Sequence, residues 1–184
     1  MASRTKKSIP IGSGYFHLIE YTGTLSALAD LIAQLKESTR FGTTTGGATL
    51  TYAGTTHEEK DDLGHVSKII TTSEEALLKC GLLTWNGKTL TKLVDRGTST
   101  EASGKRTTKI GGAGNGSNKQ YVICFLHEDS TDGNLWVLIK GKNTAGFTLT
   151  FSTVEGTVVE PEFKALPHDD NGTLIELIEE IPNT

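Results

Sequence analysis

Cysteine, methionine, proline and aromatic side chains are all scarce in this 184-residue chain, with two Cys, one Met, four Pro and 7% aromatics. Cys80 and Cys124 lie far apart in apolar surroundings, so they read as small buried hydrophobes and not as a disulfide framework. His17, His57, His65, His127 and His168 show no His-x-x-x-His spacing, and no Cys-x-x-Cys occurs, which removes the common zinc arrangements. No apolar run approaches the roughly 20 residues that a membrane helix needs. The start, Met-Ala-Ser-Arg-Thr-Lys-Lys, is basic but leads into no apolar stretch, which predicts a chain made and kept in the cytoplasm or released by lysis. A surplus of positive charge is missing too. The formal net charge of -4 argues against binding nucleic acid by phosphate neutralisation, though not against a surface that DNA slides past.

What is abundant is threonine, 28 residues, and glycine, 21, against a hydrophobic content of 35%. Threonine suits strands and glycine suits turns, so the bias predicts a β-rich fold with much wet surface. The length fits one domain with an ample core. Residues 1–13 read as an extended arm, residues 14–181 as the domain, and 182–184 as a short end. Gly14-Tyr-Phe-His-Leu-Ile-Glu-Tyr21 is a first strand. Leu25, Leu28, Leu31, Ile32 and Leu35 then recur at helical spacing, which predicts an amphipathic helix over 25–38 packed across a sheet.

Ala48-Thr-Leu-Thr-Tyr52 and Val66-Ser-Lys-Ile-Ile-Thr-Thr72 read as strands flanking a projecting loop near 54–65. Residues 73–85 fit a short helix or a strand, Asn86-Gly87 is a two-residue turn signal, and 88–94 continues as strand or short helix. Residues 95–118 form a second glycine-rich projection, either a loop or a hairpin with a strand around 106–110. Strands at 120–127 and 134–140, joined across Asp132-Gly133, are apolar on both faces and should be central. Phe147-Thr-Leu-Thr-Phe-Ser-Thr153 alternates perfectly, which predicts a strand with Phe147, Leu149 and Phe151 on a core and hydroxyls outside. Strands at 157–165 and 173–181 close the chain.

Catalytic signatures are weak throughout. His57 and His65 with Glu58 or Asp61 make a conceivable metal set, but a solvated loop explains them more simply. Asp129-Ser-Thr-Asp-Gly-Asn134 lacks the later Glu of a calcium loop and reads as a hairpin turn. Gly111-Gly-Ala-Gly-Asn-Gly116 has no Gly-Lys-Ser/Thr and precedes a strand, so it is a flexible connection and not a phosphate loop. Asp61-Asp62 and Asp169-Asp170 sit beside glycine, where carboxylates cap turns. No cofactor and no enzymatic activity are expected.

Several segments in order carry a resemblance. Gly46-Gly-Ala-Thr-Leu-Thr-Tyr52, Lys60-Asp-Asp-Leu-Gly64 and Gly81-Leu-Leu-Thr-Trp-Asn-Gly87 resemble the N-terminal half of major tail tube proteins of long-tailed bacteriophages. Lys109-Ile-Gly-Gly112, Gly141-Lys-Asn-Thr-Ala-Gly-Phe147 and Phe163-Lys-Ala-Leu-Pro-His-Asp-Asp-Asn-Gly-Thr-Leu-Ile-Glu176 continue it, over about residues 9–181. The resemblance implies a mainly β fold, an antiparallel β-sandwich or barrel with one flanking α-helix. It implies homo-hexameric rings stacked into a hollow tail tube, with a tape-measure protein and tail initiator and terminator proteins as partners. DNA would pass the lumen without specific binding, and the protein would reside in the virion tail without membrane contact. On that basis Thr56, His57, Glu58, Glu59, Lys60, Asp61 and Asp62 are the candidate contact between rings or subunits, and Thr148, Thr150 and Ser152 a candidate lumen face. The competing expectation is a β-sandwich module binding carbohydrate or protein, for which only Trp85 and Trp136 offer large aromatic surfaces.

Overall fold

The computed structural model describes residues 4–5, 7–23, 31–116 and 119–181. Its strands are β1 (Tyr15–Glu20), β2 (Arg40–Gly42), β3 (Thr44–Lys60), β4 (Ser67–Leu82), β5 (Gly97–Ala102), β6 (Lys105–Ile110), β7 (Tyr121–His127), β8 (Leu135–Asn143), β9 (Glu162–Leu166) and β10 (Glu176–Glu179). One short helix, α1 (Gly87–Thr91), follows β4. The mainly β, antiparallel character expected from the sequence is the one observed.

The main sheet runs β2-β1-β7-β8-β9-β4-β3, with β10 pairing the first half of β8. Only Thr43 separates β2 from β3, so the two ends of that order are one bent strand and the sheet closes on itself. The Leu83 N–H donates to the Thr43 carbonyl at 2.9 Å, and the Thr44 hydroxyl donates to the Gly14 carbonyl at 2.8 Å, which seals this corner. Phe41 of β2 meets Phe163 of β9 edge-on, 6.1 Å between ring centres, across the interior. Closure removes exposed strand edges from this part of the molecule.

Alternation sorts the apolar side chains. Phe16, Leu18, Ile123, Ile139, Leu78 and Phe163 belong to the interior cluster. Val122, Cys124, Trp136 and Leu138 face outward, into a second cluster that includes Leu31 and is flanked by Ile32, Leu35 and Ile178 of β10. β7 and β8 are therefore covered on both faces, as their unbroken apolar runs predict. Residues 25–30 of the helix predicted over 25–38 lie outside the described residues, and within 31–38 the helix ends at Ile32, six residues earlier than predicted. Its end at Leu31 and Ile32 is helical and packs on the outer cluster, and residues 37–39 form a 3-10 turn.

Two local expectations change, at Asn86-Gly87 and at 147–153, and the open choice at 73–85 is resolved. Asn86-Gly87 is not a hairpin turn. Asn86 caps α1, its Oδ1 accepting from the N–H groups of Lys88 at 2.9 Å and Thr89 at 3.2 Å. Gly87 lets α1 press on β6, since a Cβ there would lie 2.0 Å from Thr108 Oγ1. Residues 73–82 are strand, because β3 supplies a ladder that outweighs the helix-start look of Ser73, Glu74 and Glu75. Residues 147–153 are not a strand at all. No strand among the described residues pairs with them, and alternation alone cannot supply a ladder.

A buried histidine gives this fold a pH dependence. His17 is 3% exposed, with Nδ1 2.9 Å from Thr39 Oγ1 and no partner at Nε2 among the described residues. Burial, then the Arg40 guanidinium, holds its pKa below the ordinary 6.5, with Glu37 opposing. The unfolded chain therefore binds the proton more tightly. Stability from this site is complete above about 6.5 and is lost as pH falls from there through the lower folded value. Urea unfolding at pH 7.5 and 5.5 should show a drop in midpoint that His17→Gln reduces.

Candidate assembly surface

β3 and β4 start in the barrel wall and then leave it. Near the barrel, Ala76, Leu78, Cys80 and Leu82 are buried, and Ala48 and Leu50 pack against them. From residue 51 to residue 75 every side chain is exposed. The pairing nevertheless continues from Ala53 opposite Glu75 to Lys60 opposite Ser67. At about 3.4 Å per residue this two-stranded ribbon reaches roughly 25–30 Å beyond the core.

The ribbon replaces the predicted loop near 54–65. Thr56, His57, Glu58, Glu59 and Lys60 are strand residues, and Asp61 and Asp62 begin the turn at the tip. Polar residues on both faces leave no alternation to read, so the sequence looked like a loop. Thr72 is an extra residue opposite the Thr55–Thr56 step, and its hydroxyl donates to the Thr55 carbonyl at 3.1 Å. Such a bulge sharpens the local twist. At the tip the Val66 N–H donates to Asp61 Oδ1 at 2.7 Å, and Gly64 turns the chain with φ +69°.

Neighbouring charges pair on each face of β3, Glu58 with Lys60 at 3.1 Å and His57 with Glu59 at 3.1 Å. Tyr52 donates its hydroxyl to the Glu74 carboxylate, and that bond raises the phenol's pKa. Apolar groups remain uncovered, with Leu63 77% and Val66 69% exposed at the tip and Ile69 and Ile70 exposed on opposite faces of the ribbon.

A second projection stands apart from the barrel. β5 and β6 pair in register around Ser103 and Gly104, both at positive φ (50° and 71°), the geometry of a two-residue turn with its two central residues left-handed. This resolves the expectation for 95–118 in favour of a hairpin. One face leans on α1, where Glu101 bonds Arg106 at 2.7 Å and Lys88 at 3.0 Å, and these cations hold its carboxyl below the usual range. The opposite face carries Thr98, Thr100, Thr107, Lys105 and Lys109. Neither lysine has an ion-pair partner among the described residues. Sequence reasoning passed over this basic face, although Ser103-Gly104 between alternating Thr and charged residues was the available signal.

The candidate lumen residues are placed differently from the expectation. Thr148, Thr150 and Ser152 are exposed, but in irregular chain. Phe147 and Leu149 do pack on the interior cluster, whereas Phe151 is 78% exposed and leaves the core face predicted for it. The Thr157 hydroxyl donates to the Thr150 carbonyl at 2.8 Å, and the Val154 N–H donates to Ser152 Oγ at 3.2 Å. These bonds fold the segment into bends and use the Ser152 hydroxyl locally.

The remaining candidates serve the fold. Asp129 accepts from the N–H groups of Asp132 and Thr131, which lowers its pKa and forms the predicted β7–β8 turn. Asp169 accepts from Thr173 in the same manner. Burial pushes the Cys80 and Cys124 thiols up to about 12, so both are protonated and unreactive at neutral pH. Among the described residues no three His, Cys, Asp or Glu side chains gather closely enough to hold a metal ion. No described helix is long and apolar enough to cross a membrane. Trp136 is 8% exposed, and the half-buried Trp85 donates Nε1–H to the Thr157 carbonyl at 3.0 Å, so neither is displayed for ligand stacking. What the surface offers is two charged, solvated β-projections. No family model matches the chain, and no curated protein matches it.

Proposed function

We propose that this chain is a structural subunit that assembles into hexameric rings, stacked into the hollow tail tube of a long-tailed phage or phage-derived particle. The observation that carries this reading is the β3–β4 ribbon, exposed on both faces over residues 51–75 and bearing uncovered Leu63, Val66, Ile69 and Ile70. An isolated two-stranded hairpin is marginal in water, so a ribbon of this length is best understood as stabilised by another subunit. Its role would be the contact between subunits or rings assigned above to residues 56–62. Partners would be further copies of the chain, a tape-measure protein and initiator and terminator proteins, with DNA passing the lumen. The net charge of -4 suits a wall that does not hold DNA.

Sedimentation of the purified chain over a concentration series tests this. Ring-sized and larger species support the subunit, and a monomer at every concentration that binds glycans supports the alternative binding module. The lumen assignment has its own test. Thr150 is exposed, so Thr150→Lys should leave folding intact, within about 0.5 kcal/mol, while placing a cation in each subunit's wall. Particles carrying it should deliver DNA more slowly. Unchanged delivery would remove Thr150 from the lumen.

A further inference from the structure

Both projections are sheets without partners, and their charges are opposite. Residues 53–75 of the ribbon hold six carboxylates and two lysines, whereas residues 96–110 of the hairpin hold four Arg or Lys and one carboxylate. The charge is placed where contact would occur. On the ribbon, Glu58 and Glu59 sit near the distal end on opposite faces of β3, with Asp62 in the turn between the strands, all exposed, so an inserted tip presents carboxylates on both sides. On the hairpin, Lys105 and Lys109 occupy the face turned away from α1, opposite Ala102 and Thr98, and the hairpin carries no carboxylate on that face among its described residues. Among the described residues Glu58 and Glu59 pair only with exposed neighbours on their own strand, Lys60 and His57, Glu75 pairs with Lys164 of β9, and the hairpin's Glu101 pairs with Arg106 and with Lys88 of α1. The two projections therefore remain available to a neighbour.

We infer that the tip of the β3–β4 ribbon of one copy docks on the outer face of the β5–β6 hairpin of a second copy, setting Glu58, Glu59 and Asp62 against Lys105 and Lys109. This rests on the assembly proposed above and names the surface that receives the arm. The contact joins two different patches of the same chain, so it is heterologous: each subunit gives a ribbon and receives one. Such contacts close into rings or propagate as filaments, and they do not stop at a dimer. The exposed threonine methyls of the hairpin and the exposed Leu63 and Val66 of the tip supply the apolar part. The charges set register and reject wrong pairings.

Charge reversal tests the pairing on the full-length chain. One variant carries Glu58→Lys, Glu59→Lys and Asp62→Lys, with Asp61 kept because its carboxylate holds the turn. The other carries Lys105→Glu and Lys109→Glu. Each variant alone presents like charges at the contact, and the concentration needed for assembly should rise about a hundredfold. Mixed in equal amounts, the two should assemble again near the unaltered concentration, since every ribbon then meets a hairpin of opposite sign. Recovery on mixing also shows that both variants are folded. Assembly of either variant at the unaltered concentration would overturn the inference and leave the proposed function standing. So would a mixture that stays monomeric while circular dichroism reports two folded chains. Failure of the unaltered chain to assemble removes the proposed function, and this contact with it.

Discussion

Replacing residues 56–72 with Asn-Gly should yield a folded monomer that no longer assembles. Thr55 and Ser73 are opposite each other in the ladder, so the two-residue loop closes the ribbon on an existing pair. Asn-Gly adopts the turn that such loops require. Every residue removed is exposed, and the interior cluster contains none of them. Thermal stability should therefore stay within about 1 kcal/mol of the parent. Assembly should be lost by at least about two orders of magnitude in the concentration required, because the excision takes the whole contact and not one side chain. Sedimentation and thermal unfolding on the same sample separate the two effects. A shortened chain that still formed normal tubes would show that the ribbon is not the contact.

The second large effect concerns stability. Phe163→Ala should cost about 3–5 kcal/mol, whereas Phe151→Ala should cost less than about 0.5 kcal/mol. Phe163 is 0% exposed at the barrel centre, edge-on to Phe41, and truncation would leave a cavity that β9, paired on both sides, cannot collapse to fill. Phe151 is 78% exposed, with little apolar area to lose. For a domain of this size Phe163→Ala should lower the melting temperature by roughly 10 °C or more, and Phe151→Ala by about 1 °C. Equal losses would restore the alternating strand that residues 147–153 suggest by pattern. They would place Phe151 back in the core.

Periodicity was informative where side chains were buried and silent where they were not. β7 and β8 could be read because Tyr121 to Leu126 and Leu135 to Ile139 are apolar at every position, as only a strand covered twice can be. Residues 147–153 misled for the converse reason. Their alternation reflects Phe147 and Leu149 packing on the core, but a strand also needs a neighbour with free hydrogen-bonding groups, and pattern does not encode that. The ribbon is legible in part: residues 66–72 read as strand, but 54–60 read as loop because solvent on both faces imposes no period, and only the long-range register between β3 and β4 defines them. Closure of the sheet through Thr43 was equally illegible, since it depends on where the two ends of a curled sheet meet. Of the candidate site, the position of the acidic segment 56–62 as a projection was legible in its length and charge. The basic hairpin face was missed because Lys105 and Lys109 are separated in sequence and joined only by the strand's two-residue repeat.

Negative-stain electron microscopy of the purified full-length chain tests the central claim most directly. The account predicts sixfold rings with an open centre, and stacked tubes as concentration rises. A field of dispersed single subunits at every concentration, with no ring or tube, would contradict it.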